Sequence, residues 1–150
     1  MNDQDWMQCA IQEAHKAFLC GEVPVGAVIV KDGKIIGEGY NMREQKHNVL
    51  SHAETEAINA ACKSLGDWRL DDCTIYVTLE PCPMCTGAII NARIKEVVFG
   101  AYDRVMGCID SVTNIFSLPF SDGITVYGGV KEDECKKILT NFFKGVRNEN

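Results

Sequence analysis

Met7, Ala10, Ile11, Ala14 and Phe18 recur at helical spacing and Gly21 stands behind them as a stop, so the chain opens with an amphipathic helix. The period then changes. Residues 25–30 form an apolar run too short for a helix, Asp32-Gly33 is a two-residue turn signal, and residues 34–39 continue the strand pattern, which predicts a β-hairpin. A polar loop over 41–50 leads to a second helix over 52–65, closed by Gly66. Residues 73–79 (C-T-I-Y-V-T-L) are β-branched and aromatic and predict a strand; Pro81 and Pro83 close it and open a helix over 84–93. Val97-Val98-Phe99 is a buried strand, and strand, helix, strand in this order implies a right-handed parallel crossover. Beyond Gly100 the pattern weakens until a short strand over 124–127 and a last helix carrying Cys135, Ile138, Leu139, Phe142 and Phe143. The class is therefore α/β, a mixed sheet covered by helices.

Composition narrows this picture. At 150 residues, 46% hydrophobic and 24% charged, the chain can bury one core, which predicts a single domain over 1–150. Its acidic start, Met1-Asn2-Asp3-Gln4-Asp5, has no apolar run behind it and no stretch reaches membrane length, so a cytoplasmic protein with no membrane partner is expected. A net charge of −6 argues against a broad phosphate-binding surface. A local footprint would belong in the last segment, where Lys136, Lys137, Lys144 and Arg147 gather. Eight cysteines in a reducing compartment point to metal binding or catalysis before disulfides. Cys9, Cys20, Cys62 and Cys135 stand singly in helical segments and are expected to pack as small hydrophobes. Only Cys82 and Cys85 are paired by spacing.

Pro81-Cys82-Pro83-Met84-Cys85 puts two sulfurs at a strand-to-helix junction, where free N–H groups and the helix dipole stabilise thiolates. A metal pair and a thioredoxin-like redox pair fit that motif equally. Ser51-His52-Ala53-Glu54 has a plainer meaning, a capping box of Ser51 and Glu54 with His52 at the surface. The two motifs together favour a site. Each begins a helix next to a strand, and adjacent parallel strands would join those helix starts at the sheet's carboxyl edge, where open α/β sheets bind ligands. One histidine and two thiolates are three ligands, and a catalytic zinc takes water as its fourth. His47 and Cys108 could close the set instead; loop surface and core are their simpler roles. Zinc brings the pKa of water from about 15.7 to roughly 7, and Glu54, two residues from a ligand, is placed to carry the proton. Asn41 on its own reads as a turn cap, and Phe142 and Phe143 as core.

The pair H-A-E and P-C-P-M-C is similar to the signature of the cytidine/deoxycytidylate deaminase superfamily. Over nearly its full length the chain resembles the bacterial tRNA-specific adenosine deaminases, in G-E-V-P-V-G-A-V (21–28), G-Y-N (39–41), T-L-E-P-C (78–82), V-V-F-G-A (97–101) and the closing F-F-K (142–144). The resemblance implies a three-layer α-β-α cytidine deaminase-like fold with a mixed five-stranded sheet and helices on both faces. It implies one zinc per chain on His52, Cys82 and Cys85, with Glu54 as proton shuttle. Asn41 and the backbone of Ala53 would hold a flipped base and Asp103 a neighbouring nucleotide. The family is a homodimer acting on the wobble adenosine of an arginine tRNA anticodon loop, giving inosine and ammonia. The chain departs from it at Val49-Leu50-Ser51, where the family has P-T-A, and over 103–111, where Val105, Ile109 and Asp110 replace a lysine and two small residues. Its acidity and that altered loop favour a rival within the class, a deaminase of free bases or nucleosides of the guanine, adenine or cytosine type. A thiol-disulfide oxidoreductase on Cys82 and Cys85, or a zinc module that only binds a partner, are the alternatives from other classes.

Overall fold

Asn2 starts the first helix with a reciprocal pair of bonds: its side chain accepts from the Asp5 N–H at 3.0 Å, and the Asp5 carboxylate accepts from the Asn2 N–H at 2.9 Å. The computed structural model describes residues 1–121 and 123–149. Its elements in chain order are α1 (Asp3–Leu19), β1 (Gly26–Lys31), β2 (Lys34–Tyr40), α2 (Ala53–Leu65), β3 (Cys73–Leu79), α3 (Pro83–Asn91), β4 (Glu96–Ala101), β5 (Thr125–Tyr127) and α4 (Glu132–Glu149), with a 3-10 turn over Ile115–Ser117. Asp32 and Gly33 have φ of 51° and 73°, both left-handed, as a two-residue hairpin turn between β1 and β2 requires.

The sheet order is β2-β1-β3-β4-β5. β1 runs antiparallel to both neighbours, while β3, β4 and β5 are parallel. Side-chain alternation divides the core in two. Ala27, Ile29, Ile75, Val77, Val97 and Phe99 face α2 and α3, with Ala53, Ala57, Ala61 and Ile89 opposite them. Val28, Val30, Tyr76 and Val98 face the other way, against Met7, Ala10, Ile11 and Ala14 of α1 and Cys135 and Ile138 of α4. These are the three layers and five strands that the resemblance implied.

One expectation about the sheet needs correction. The strands that lead into the two motif helices are not adjacent, because β1 lies between β2 and β3. A hairpin strand pairs on both edges, and β1, antiparallel to each neighbour, leaves β2 and β3 pointing the same way. Their carboxyl ends therefore open at one edge of the sheet, and α2 and α3, on the same face, both start there. The cysteine expectation is also only partly met: Cys135 is buried, Cys9 and Cys62 are half-buried and Cys20 is exposed. Phe142 packs edge-on to Phe18 at 6.0 Å, whereas Phe143 is exposed rather than core. The side chain of Arg147 lies outside the described residues. Among the described residues no helix is long and apolar enough to cross a membrane.

α2 sits on β2 almost backbone to backbone. A Cβ on Gly39 would stand 2.5 Å from both the Ala53 carbonyl oxygen and the Ala57 nitrogen, and one on Gly37 would stand 2.4 Å from the Ala57 oxygen. The alanines at 53, 57 and 61 make that approach possible. Gly39→Ala is expected to push α2 outward at about 1–3 kcal/mol, lowering the melting temperature by roughly 2–4 °C per kcal/mol. The shift falls on the turn that begins with Ala53, so calorimetry and metal affinity should change together.

Candidate active site

α2 begins at Ala53, one residue later than a Ser51 cap would place it, and His52 is its N-cap, with extended backbone (φ −87°, ψ 164°). The His52 N–H is satisfied by Thr55 Oγ1 at 3.0 Å, which takes the place of the expected Ser51 and Glu54 capping box. Ser51 is buried, and Glu54, freed from capping, turns into the protein and is only 4% exposed. α3 begins the same way. Cys82 is its N-cap, Pro83 fills the first helical position, and Cys85 lies in the first turn, fully buried.

The His52 Nδ1 stands 3.7 Å from Cys82 Sγ and 3.5 Å from Cys85 Sγ, and the three donor atoms all lie within 4.8 Å of one another. Zinc–sulfur bonds of about 2.3 Å and zinc–nitrogen bonds of about 2.1 Å at a tetrahedral angle set ligand atoms roughly 3.6 Å apart. The observed separations bracket that edge length, so these three residues fit one tetrahedral metal. Neither residue considered as a fourth ligand joins them among the described residues. Cys108 is buried and donates its thiol to the Met106 carbonyl at 3.3 Å, and His47 is exposed on its loop.

Electrostatics sorts the group by role. A hydrogen bond from Cys85, aided by His52, pushes the Cys82 thiol down to about 4, while the same bond and burial hold the Cys85 thiol well up. The Cys82 sulfur raises the imidazole of His52. Burial pushes the Glu54 carboxyl up to about 7, the range suited to exchanging protons near neutrality.

These groups open into a cavity of about 270 Å³. Its lining comes from the segment before β1 (Val23, Val25), the loop after β2 (Asn41, Arg43), the start of α2 (His52, Ala53, Glu54), the end of β3 and the start of α3 (Leu79, Glu80, Cys82), and the loop after β4 (Asp103, Met106). Asn41, Ala53 and Asp103 are thus brought to the same space. Asn41 donates its amide to the Val23 carbonyl at 3.2 Å and accepts from the Arg43 N–H at 3.2 Å. Asp103 Oδ1 accepts from the Val105 and Met106 N–H groups at 3.0 and 3.1 Å.

Two buried carboxylates shape the walls, and residue patterning had not singled them out. Glu80, 1% exposed, accepts from the Asp103 N–H at 3.1 Å, Ile109 at 3.3 Å, Asp110 at 2.8 Å and Ser111 at 2.9 Å, and from the Ser111 hydroxyl. Glu22, also 1% exposed, accepts from the Glu44 N–H at 3.0 Å and the Gln45 N–H at 2.7 Å. The signal was available: an acid at the end of an apolar strand, as in T-L-E-P-C, has to find donors. Burial alone would raise the Glu80 carboxyl, but bonds from Ser111, Asp103 and Asp110 outweigh it and hold the group below its usual range. A carboxylate lowered in the folded state adds stability that is present above the unfolded pKa, near 4.3, and lost as pH falls through the folded value. Glu80→Gln is expected to cost at least about 2 kcal/mol at pH 7, and to narrow the gap between melting temperatures at pH 7 and pH 4.

A buried carboxyl beside three side chains whose spacing fits a metal ion, at the carboxyl edge of a sheet held between two helical layers, defines the class: a cytidine deaminase-like enzyme. The chain belongs to the MafB19-like deaminases, whose family model matches residues 1–147. It is 47% identical over 146 residues to the tRNA-specific adenosine deaminase of Bacillus subtilis (strain 168), covering 97% of this chain and 91% of that one. A solved structure from studies of A-to-I editing by tRNA:A34 deaminases at the wobble position matches it with a TM-score of 0.87 at 41% identity, over 90% of this chain and 99% of that chain. The guanine deaminase of Bacillus subtilis matches with a TM-score of 0.65 at 46% identity, over 68% of this chain and 66% of that chain. The protein is accordingly a hydrolytic enzyme acting on amidine C–N bonds.

Proposed function

We propose that the protein is a zinc-dependent deaminase that converts the wobble adenosine of a tRNA anticodon loop to inosine, with release of ammonia. The observation that carries this is the near end-to-end likeness, 47% identity with the Bacillus tRNA-specific enzyme and a TM-score of 0.87 with the tRNA:A34 deaminase structure. The guanine deaminase matches over a smaller part of both chains. It supports the second reading, a free-base deaminase, to which the net charge of −6 also lends weight.

His52, Cys82 and Cys85 would hold the metal, and their spacing and soft donor set suit zinc. Bound there, zinc supplies a water acidic enough to give up a proton near neutral pH. Glu54, its carboxyl buried and so able to work between protonation states, would take up the water's proton and carry it to the ring nitrogen and the departing amine. Asn41 and the main chain of Ala53 orient the base in the cavity, and Asp103 meets the neighbouring nucleotide. The apolar walls, Val23, Val25 and Leu79, exclude bulk water from the ring. A homodimer in the cytoplasm is the corresponding assembly and location, as for the tRNA-specific family that the chain resembles.

The test is to incubate the purified protein with an arginine-tRNA anticodon stem-loop and, separately, with a panel of free bases and nucleosides, using Glu54→Ala as control. Inosine at the wobble position with ammonia release is the expected result. Ammonia released only from the free compounds would replace this reading with the second one.

A further inference from the structure

The cavity is small and its rim carries one particular charge. Pockets for small molecules run roughly 300–1,000 Å³, so about 270 Å³ takes a base and leaves the sugar and phosphate outside. Among the described residues Arg43 is the only lysine or arginine that lines the cavity. Its side chain is 49% exposed, which puts the guanidinium at the mouth, and its nearest acid, Glu44, is 3.6 Å away. Lys46, the other cation of this loop, is held by both carboxylate oxygens of Glu56 at 3.1 and 3.0 Å.

The loop presents Arg43 on a fixed backbone. The Arg43 N–H donates to Asn41 Oδ1, and the next two N–H groups, of Glu44 and Gln45, donate to the buried Glu22 carboxylate. A guanidinium offers a planar set of donors matched to phosphate, and little entropy is lost when its backbone is already set. We propose that Arg43 is the specificity contact of this site, gripping a phosphate that flanks the flipped nucleotide and so selecting a polynucleotide over a free base. This rests on the tRNA reading above and names the part of the substrate that it would recognise.

Binding is read on the zinc-loaded Glu54→Ala protein, by fluorescence anisotropy of a labelled arginine-tRNA anticodon stem-loop across a salt series. Arg43→Gln is expected to weaken binding by about 10- to 100-fold and to make the slope of log affinity against log salt shallower by about one. Arg43→Lys keeps the slope. Arg69→Gln removes the same charge at the opposite edge of the sheet, where Arg69 stacks over Trp68 at 5.1 Å, and should change neither quantity. An Arg43→Gln protein with unaltered affinity and slope overturns the inference, as does an Arg69→Gln protein with the same loss. If the native protein edits the stem-loop while Arg43→Gln binds it unchanged, this contact alone fails. If the native protein acts only on free bases, the tRNA reading fails and the contact with it.

Discussion

Glu54→Gln is expected to keep one zinc per chain and to lower kcat by at least about 10²–10⁴-fold, the usual contribution of a positioned acid–base group. The substitution preserves shape and removes only the capacity to carry a proton. Glu54 is buried at the first turn of α2, two residues from His52, so no bulk water can stand in for it. Metal analysis and single-turnover ammonia release on the same sample check both halves. Zinc retained with turnover lost supports the shuttle; zinc retained with turnover intact would take the role from Glu54.

His52→Ala should do the reverse, losing the metal and activity together. Of the three donors, His52 is the one that spans the two helices, its Nδ1 lying 3.7 and 3.5 Å from the sulfurs of Cys82 and Cys85. Without it two sulfurs remain on one turn of α3, which is too few for a catalytic zinc. Zinc content of the purified variant should fall toward zero and turnover to background, with no recovery in added zinc. Wild-type protein stripped by a chelator should recover when zinc is restored. A His52→Ala protein that still carried stoichiometric zinc would show that the metal is held elsewhere.

Much of the fold was legible because its signals are local. Asp32-Gly33 between two apolar runs announces a hairpin, Gly66 closes α2 with a left-handed φ of 68°, and Pro83 opens α3. Strand order is not local. β1 between β2 and β3 follows from pairing across many residues, so the motif helices meet at one edge without their strands being neighbours. The group of His52, Cys82 and Cys85 was legible because two helix starts carried side chains that together make a zinc-type donor set. The Ser51 and Glu54 capping box is a local rule that lost to burial: Thr55 took over the His52 N–H, leaving Glu54 for the cavity. Glu22 and Glu80 were hidden for another reason. Each is a lone acid in an apolar stretch, and its partners are main-chain donors 22 to 31 positions away, a relationship no spacing pattern encodes. Asn41 and Asp103 were marked by family resemblance rather than by pattern.

The way Glu80 holds its loop also governs how this enzyme can change. Of the groups that residues 103–111 offer to that carboxylate, all but the Ser111 hydroxyl are peptide N–H groups. Peptide donors are the same whatever side chain they carry. Val105, Ile109 and Asp110 can therefore occupy places where the family resemblance implies a lysine and two small residues, and the loop keeps its course. The carboxylate is covalently two residues from Cys82, so the anchor sits beside the group of His52, Cys82 and Cys85, while Val105 and Asp110 stand exposed on the loop and Ile109 packs into the core. Such a loop can exchange its exposed side chains one at a time and still keep the bonds that fix its course beside the cavity.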